Sequence, residues 1–160
     1  MSGRCTAEKK TGPNPTDRRK KGSKHHIISD AQGTPLAVLL TAANVNDVSE
    51  LMPLVHAIPA IRGKRGRPRS RPERVQGDRG YDSNPYRQQL KQMGIEPVLA
   101  RRRTPHGSGL GKTRWVIERT IALMHQFRRL RHRYEKRPEL HEAFMSLAAS
   151  LLCWNRLKRP

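Results

Sequence analysis

At 160 residues with 34 % hydrophobic content and few aromatics, the chain has the length of one domain and a modest core. Lys and Arg number 33 against 13 Asp and Glu, a formal charge of +20, which costs self-repulsion in the compact state and points to a polyanionic partner rather than a merely solvated basic surface. No apolar run approaches the roughly 20 residues that cross a bilayer, the start lacks a hydrophobic signal core, and Cys5 and Cys153 lack disulfide-framework or metal-type spacing; a membrane partner and a disulfide scaffold are excluded, and the cytoplasm is expected.

Residues 1–22 are polar, with Gly12, Pro13 and Pro15, and read as an irregular basic lead-in to a domain over 23–160. Lys24 to Ser29 alternates weakly as a strand, Asp30-Ala31-Gln32-Gly33 supplies turn chemistry, and Pro35 to Thr41 is a β-rich apolar strand, so a hairpin is expected. The His25-His26 pair would point to opposite faces of that strand, poor geometry for zinc. Asp47-Val48-Ser49-Glu50 resembles a capping box for a helix through Leu51, Leu54, Val55 and Ile58, although Pro53 argues for a later start or a bend.

Residues 62–72 are basic, rich in Pro and Gly, and aperiodic. They predict a mobile loop whose cations, Arg62, Lys64, Arg65, Arg67 and Arg69, track phosphate without reading sequence. Arg74 to Gly77 predicts a short strand ending at Asp78, followed by a turn at Arg79-Gly80-Tyr81-Asp82. A helix near residues 85–93 follows, capped by Asn84 and ended by Gly94. Ile95 to Ala100 is a strand that Pro97 confines to an edge. Residues 101–112 form a second basic loop with Arg101, Arg102, Arg103 and Lys112. A long helix then runs from Thr113, its cap, to about Arg131 with Val116, Thr120, Leu123, Phe127 and Leu130 at core spacing. A last helix over 138–157 is expected to bury Leu140, Phe144, Leu147, Leu151 and Trp154. Together these elements predict a mixed α/β domain.

Phosphodiester chemistry needs an activated nucleophile, neutralised charge at phosphorus and a stabilised leaving oxygen, which two hard divalent cations held by carboxylates supply. Asp78 at a strand end and Glu118 on a helix are the candidate ligands, with Arg114 one turn before Glu118 to hold phosphate or orient the carboxylate. His125 lies about two turns beyond. The plain alternatives stay open: Asp78 as a turn residue, Glu118 as a solvated partner of Arg114, and Arg128, Arg129, Arg131 and Arg133 as a solvated helix face touching backbone phosphate.

The blocks Lys10 to Arg18, Gly22-Ser23-Lys24-His25-His26, Gly33 to Ala37, Asn44 to Asp47, Gly77-Asp78-Arg79-Gly80-Tyr81-Asp82 and Arg114-Trp115-Val116-Ile117-Glu118-Arg119-Thr120, in that order and spacing, resemble the C-terminal catalytic half of bacterial insertion-sequence DDE transposases in the family named for insertion sequence five. The resemblance implies a ribonuclease-H-like mixed sheet flanked by helices, Mg²⁺ or Mn²⁺ as cofactor, and metal-dependent cleavage and strand transfer at element ends. Asp78 and Glu118 fall on the second and third acids of the triad. Arg114 falls on the Arg of a Tyr-Arg-Glu-Lys signature whose Tyr and Lys positions hold Gly111 and His125. The first triad Asp and its central strand would precede Lys10, where residues 1–9 hold neither, so the domain is expected to be incomplete and inactive alone, as a truncated or second-frame product. Implied partners are double-stranded DNA, at element ends and target, and a second copy or an upstream-frame segment, in a nucleoid-associated setting. The alternative functions are a non-catalytic DNA-binding remnant or regulator and, more remotely, an RNA-binding protein, for which stacking aromatics are missing.

Overall fold

The Asp30–Gly33 turn forms, and local chemistry explains it. Asp30 Oδ1 accepts from the backbone N–H of Gln32 (2.9 Å) and of Thr34 (2.7 Å), and Gly33 adopts φ +83°, a conformation that glycine enters without steric cost. The computed structural model describes residues 10–15, 20–63, 66–103 and 111–158. The chain divides into two units, residues 1–45 with 116–160, and residues 46–115.

In the first unit, strands β1 (Gly12–Pro13), β2 (Lys21–Ser29) and β3 (Pro35–Ala42) make an antiparallel sheet in the order β1-β2-β3. The segment expected as an irregular lead-in thus contributes a strand, with Gly12 paired to Gly22. A Cβ at Gly12 would meet the Asn44 side chain at 2.2 Å. Helices α3 (Gly111–His125), α4 (Arg128–Arg131) and α5 (Pro138–Leu157) complete the chain. The expected continuous helix to Arg131 is broken at Gln126 and Phe127, where Phe127 is extended (ψ 110°). Six residues along one helix would turn Leu130 about 120° away from Met124; the break lets both join the core of Leu40, Met124, Leu130, Met145 and Ala148, with Ile27, Val38, Phe127, Phe144 and Leu152 packed against it.

Helix α5 has the expected span but is rotated by one residue, about 100°, from the expected phase, so that of the expected set only Phe144 packs on the core. It buries Pro138, His141, Met145 and Ala148, while Leu140, Leu147, Leu151 and Trp154, expected inside, are 49, 56, 40 and 55 % exposed. Small Ala148 faces the core, and the buried His141 ring finds polar partners there.

The second unit opens on a 3₁₀ turn (Asp47–Glu50) leading into α1 (Leu51–His56). Its cap is Asn46, whose side chain accepts from Val48 N–H, rather than Asp47; Pro53 sits in the first turn of α1, where its missing N–H costs no bond. Strands β4 (Arg74–Gly77) and β5 (Glu96–Leu99), joined by α2 (Asn84–Gln92), pair in parallel as a separate two-stranded sheet. The single mixed sheet expected from sequence is therefore two sheets among the described residues. Ser83 takes the N-cap position of α2 in place of Asn84, and Gly94 (φ +75°) ends it as expected. Among the described residues of this unit, Leu51, Leu54, Val55, Ile58, Val75, Leu90, Ile95, Leu99 and Ala100 are the buried apolar ones. Among the described residues no helix is long and apolar enough to cross a membrane.

Candidate functional site

Asp78 follows directly from β4 in extended backbone. Its Oδ1 accepts from Gly80 N–H at 2.9 Å, capping the 3₁₀ turn Arg79–Tyr81, and the residue is exposed. The turn role and the strand-end placement are both real and do not compete, since one accepted bond leaves a carboxylate with further lone pairs. Gly77 makes the approach possible: a Cβ there would meet Leu99 Cδ2 at 2.8 Å.

A further set of bonds holds this turn from beneath, and no local pattern announces it. Arg102, expected on a phosphate-tracking loop, donates from Nε to the Arg79 carbonyl (3.0 Å) and from Nη2 to the Gly80 carbonyl (3.3 Å). Its backbone N–H donates to Asp82 Oδ2 at 2.7 Å. Arg87 Nη2 donates to Asp82 Oδ1 (2.6 Å) and to the Leu99 carbonyl (2.9 Å). The Arg102 backbone N–H, then the Arg87 side chain, hold the Asp82 carboxyl below its ordinary value. Burial, and then the negative fields of Asp47, Asp78 and Glu50, push the Tyr81 hydroxyl up to about 12. Negative charge is thus gathered near Asp78 in a chain that has little of it.

Glu118 and Arg114 lie one turn apart on α3, both exposed. Glu118 belongs to the first unit and Asp78 to the second. Thr120, two residues on, is 1 % exposed and fixes the phase of the helix. His125 ends α3, exposed, its ring edge-on to His25 at 5.9 Å. Two exposed carboxylates are hard oxygen donors of the kind Mg²⁺ or Mn²⁺ takes. No group of three or more His, Cys, Asp or Glu is placed to hold a metal ion among the described residues.

Of the basic-loop candidates, Arg62, Arg67 and Arg69 are exposed beside an Ile61–Arg69 bridge. Arg69 also pairs with Glu73 at 3.2 Å, an ion pair too exposed to contribute much. Arg101 and Arg103 are exposed as well. Lys64, Arg65 and the side chain of Lys112 lie outside the described residues.

The first unit also holds a buried polar chain that sequence patterning does not signal. His25 Nε2 lies 2.8 Å from His141 Nε2. His141 Nδ1 faces Glu135 Oε2 at 3.5 Å, and neither atom has another partner. Arg129 Nη1 donates to Glu135 Oε1 at 2.8 Å. Burial first, then the positive fields of His141, His125, His26 and Arg133, lower His25 to about 4. Burial also lowers His141 against the pull of Glu135. Burial opposes ionisation of Glu135, but hydrogen bonds led by Arg129 hold its carboxyl below the ordinary value. His26 points the other way, to Thr41 Oγ1 at 2.7 Å.

Residues 3–153 match the family model described as the transposase DDE domain. The chain is 63 % identical over 150 residues to a protein assigned as the transposase for insertion sequence element IS402 of Burkholderia cepacia, covering 94 % of this chain and 71 % of the relative. It is 29 % identical over 126 residues to the transposase for insertion sequence element IS1106 of Neisseria meningitidis serogroup B, covering 72 % of this chain and 40 % of that protein. No solved structure matches it.

Proposed function

Because the chain belongs to the transposase DDE-domain family, we propose that it binds duplex DNA at the ends of an insertion sequence and takes part in metal-dependent cleavage and strand transfer there. The observation that carries this reading is the Asp78 carboxylate. It is exposed at the end of β4, with one oxygen fixed by Gly80 N–H and the turn beneath it braced by Arg102. In this reading Asp78 and Glu118 hold Mg²⁺ or Mn²⁺, which when bound neutralises charge on the phosphodiester and its leaving oxygen. Arg102 is a positioning residue that keeps the Asp78 turn from opening. Arg114 pairs with a phosphate or with Glu118, and Arg62, Arg67, Arg69, Arg101 and Arg103 follow the backbone. The parallel β4–α2–β5 unit and the antiparallel hairpin are the element types of a ribonuclease-H-like fold, which we take as the architecture.

A second reading is DNA binding without cleavage, which the formal charge of +20 supports as well as it supports catalysis. Incubating the chain with end-containing duplex and Mg²⁺ or Mn²⁺ separates the two. Nicking that Asp78→Asn and Glu118→Gln abolish supports catalysis. Nicking that survives both substitutions removes the assigned site, and binding with no nicking leaves the second reading.

A further inference from the structure

Between α3 and α5 the chain carries five basic or imidazole side chains within six residues, and the structure sorts them into two groups. Arg129 donates to Glu135 and stands 5.2 Å from the Phe144 ring centre. Arg133 donates to Thr11 Oγ1 (2.9 Å), to Ser23 Oγ and to the Glu135 carbonyl (3.0 Å). These two hold the fold together. Arg128, Arg131 and His132 are exposed and have no hydrogen-bond or ion-pair partner among the described residues; Arg128 only lies over the Tyr134 ring at 5.9 Å.

The unpaired set shares one open concavity of about 560 Å³, lined by Ala122, His125, Gln126, Arg128, Arg131 and His132. It contains no carboxylate. A concave wall of one charge sign focuses potential and concentrates counter-ions, and guanidinium forks match phosphate oxygens two at a time. The break at Gln126 and Phe127 creates the site, because a continuous helix would carry these residues on around its circumference.

We propose that this concavity is a phosphodiester-binding site that grips the backbone of duplex DNA, made from residues other than Asp78 and Glu118. It rests on the DNA reading above and adds to it a grip that needs no divalent cation. Duplex is favoured over single-stranded nucleic acid because the lining has no Phe, Tyr or Trp ring on which a run of unstacked bases could lie. It is favoured over a membrane because Ala122 is the lining's one apolar side chain.

The test measures binding of a labelled duplex of arbitrary sequence, in EDTA, across a salt series. Arg128→Ala/Arg131→Ala should weaken binding about tenfold or more and lower the slope of log affinity against log salt by about 2, since each phosphate neutralised adds roughly 0.9 to that slope. Arg131→Ala/His132→Ala leaves Arg128 over the Tyr134 ring and should weaken binding in the same direction at unchanged melting temperature. Lys91→Ala, removing an exposed cation on α2, should change neither affinity nor slope appreciably. A slope unmoved by both double variants, or moved no more than by Lys91→Ala, overturns the site. Single-stranded RNA displacing duplex at lower concentration than duplex itself overturns its assignment to DNA. Without divalent ion the outcome is independent of nicking, so failure of the catalytic reading and failure of this one are told apart.

Discussion

The Thr120 hydroxyl donates to the Gly33 carbonyl at 2.8 Å, tying the hairpin turn to the middle of α3 across 87 residues of chain. Glu118 is two residues away, so the bond that seats the turn also sets the rotation of the helix carrying the candidate carboxylate. A Cβ on Gly33 would meet that hydroxyl at 2.8 Å and Val116 Cγ1 at 3.2 Å, in a backbone conformation of φ +83°. Gly33→Ala should therefore cost about 2 kcal/mol or more, combining left-handed strain with the broken hydrogen bond. Thr120→Val, which leaves the carbonyl without its donor, should cost about 1–2 kcal/mol. Denaturant midpoints measure both, and a Gly33→Ala protein as stable as the parent would mean the turn is not docked on α3.

The phase of α5 is tested by a pair of substitutions two residues apart. Met145 is 0 % exposed in the core cluster and Leu147 is 56 % exposed. Met145→Ala should destabilise by about 2–5 kcal/mol, and Leu147→Gln should stay within about 0.5 kcal/mol. The reverse ranking would restore the face expected from sequence.

That expectation fails for a physical reason. Leu140, Phe144, Leu147, Leu151 and Trp154 repeat at helical spacing with more apolar surface than His141, Met145, Ala148 and Leu152, and periodicity ranks stripes by apolar content alone. It carries no information that His141 will meet His25 and Glu135 inside. Local chemistry is more legible. Asp30 and Gly33 announce the hairpin, Gly94 the end of α2, and Asp78 the end of a strand, because each acts on its own backbone neighbours. The bracing of Asp78 by Arg102 is hidden for the opposite reason, since it joins Arg102 to Arg79 and Gly80 through folding, and a run of arginines looks like free charge. The split of the strands into two sheets depends on long-range pairing, which no local pattern encodes.

The buried histidine pair makes a sign-specific prediction for acid. His25 is held at about 4 in the folded chain against 6.5 unfolded, and His141 is lowered as well. On acidification the unfolded chain takes up protons first, so this stability is fully present above pH 6.5 and is lost as pH falls from 6.5 towards 4. For His25 the loss is up to about 3 kcal/mol, at ~1.4 kcal/mol per pH unit. His25→Gln, which cannot titrate, should flatten the stability curve over that interval when unfolding free energy is measured at several pH values. A variant curve parallel to the parent's would show that the pair does not govern acid sensitivity.

Helix α5 presents apolar side chains on two sides, Met145 and Ala148 inward and Leu140, Leu147, Leu151, Trp154 and Leu157 to water. Cylinders of that composition are at home in protein interiors, where something closes over both flanks. Changes along the outer row should accordingly be nearly silent in the melting of the isolated chain and surface only in settings where that row is covered. A survey of folding alone would pass over five of the largest side chains this helix owns.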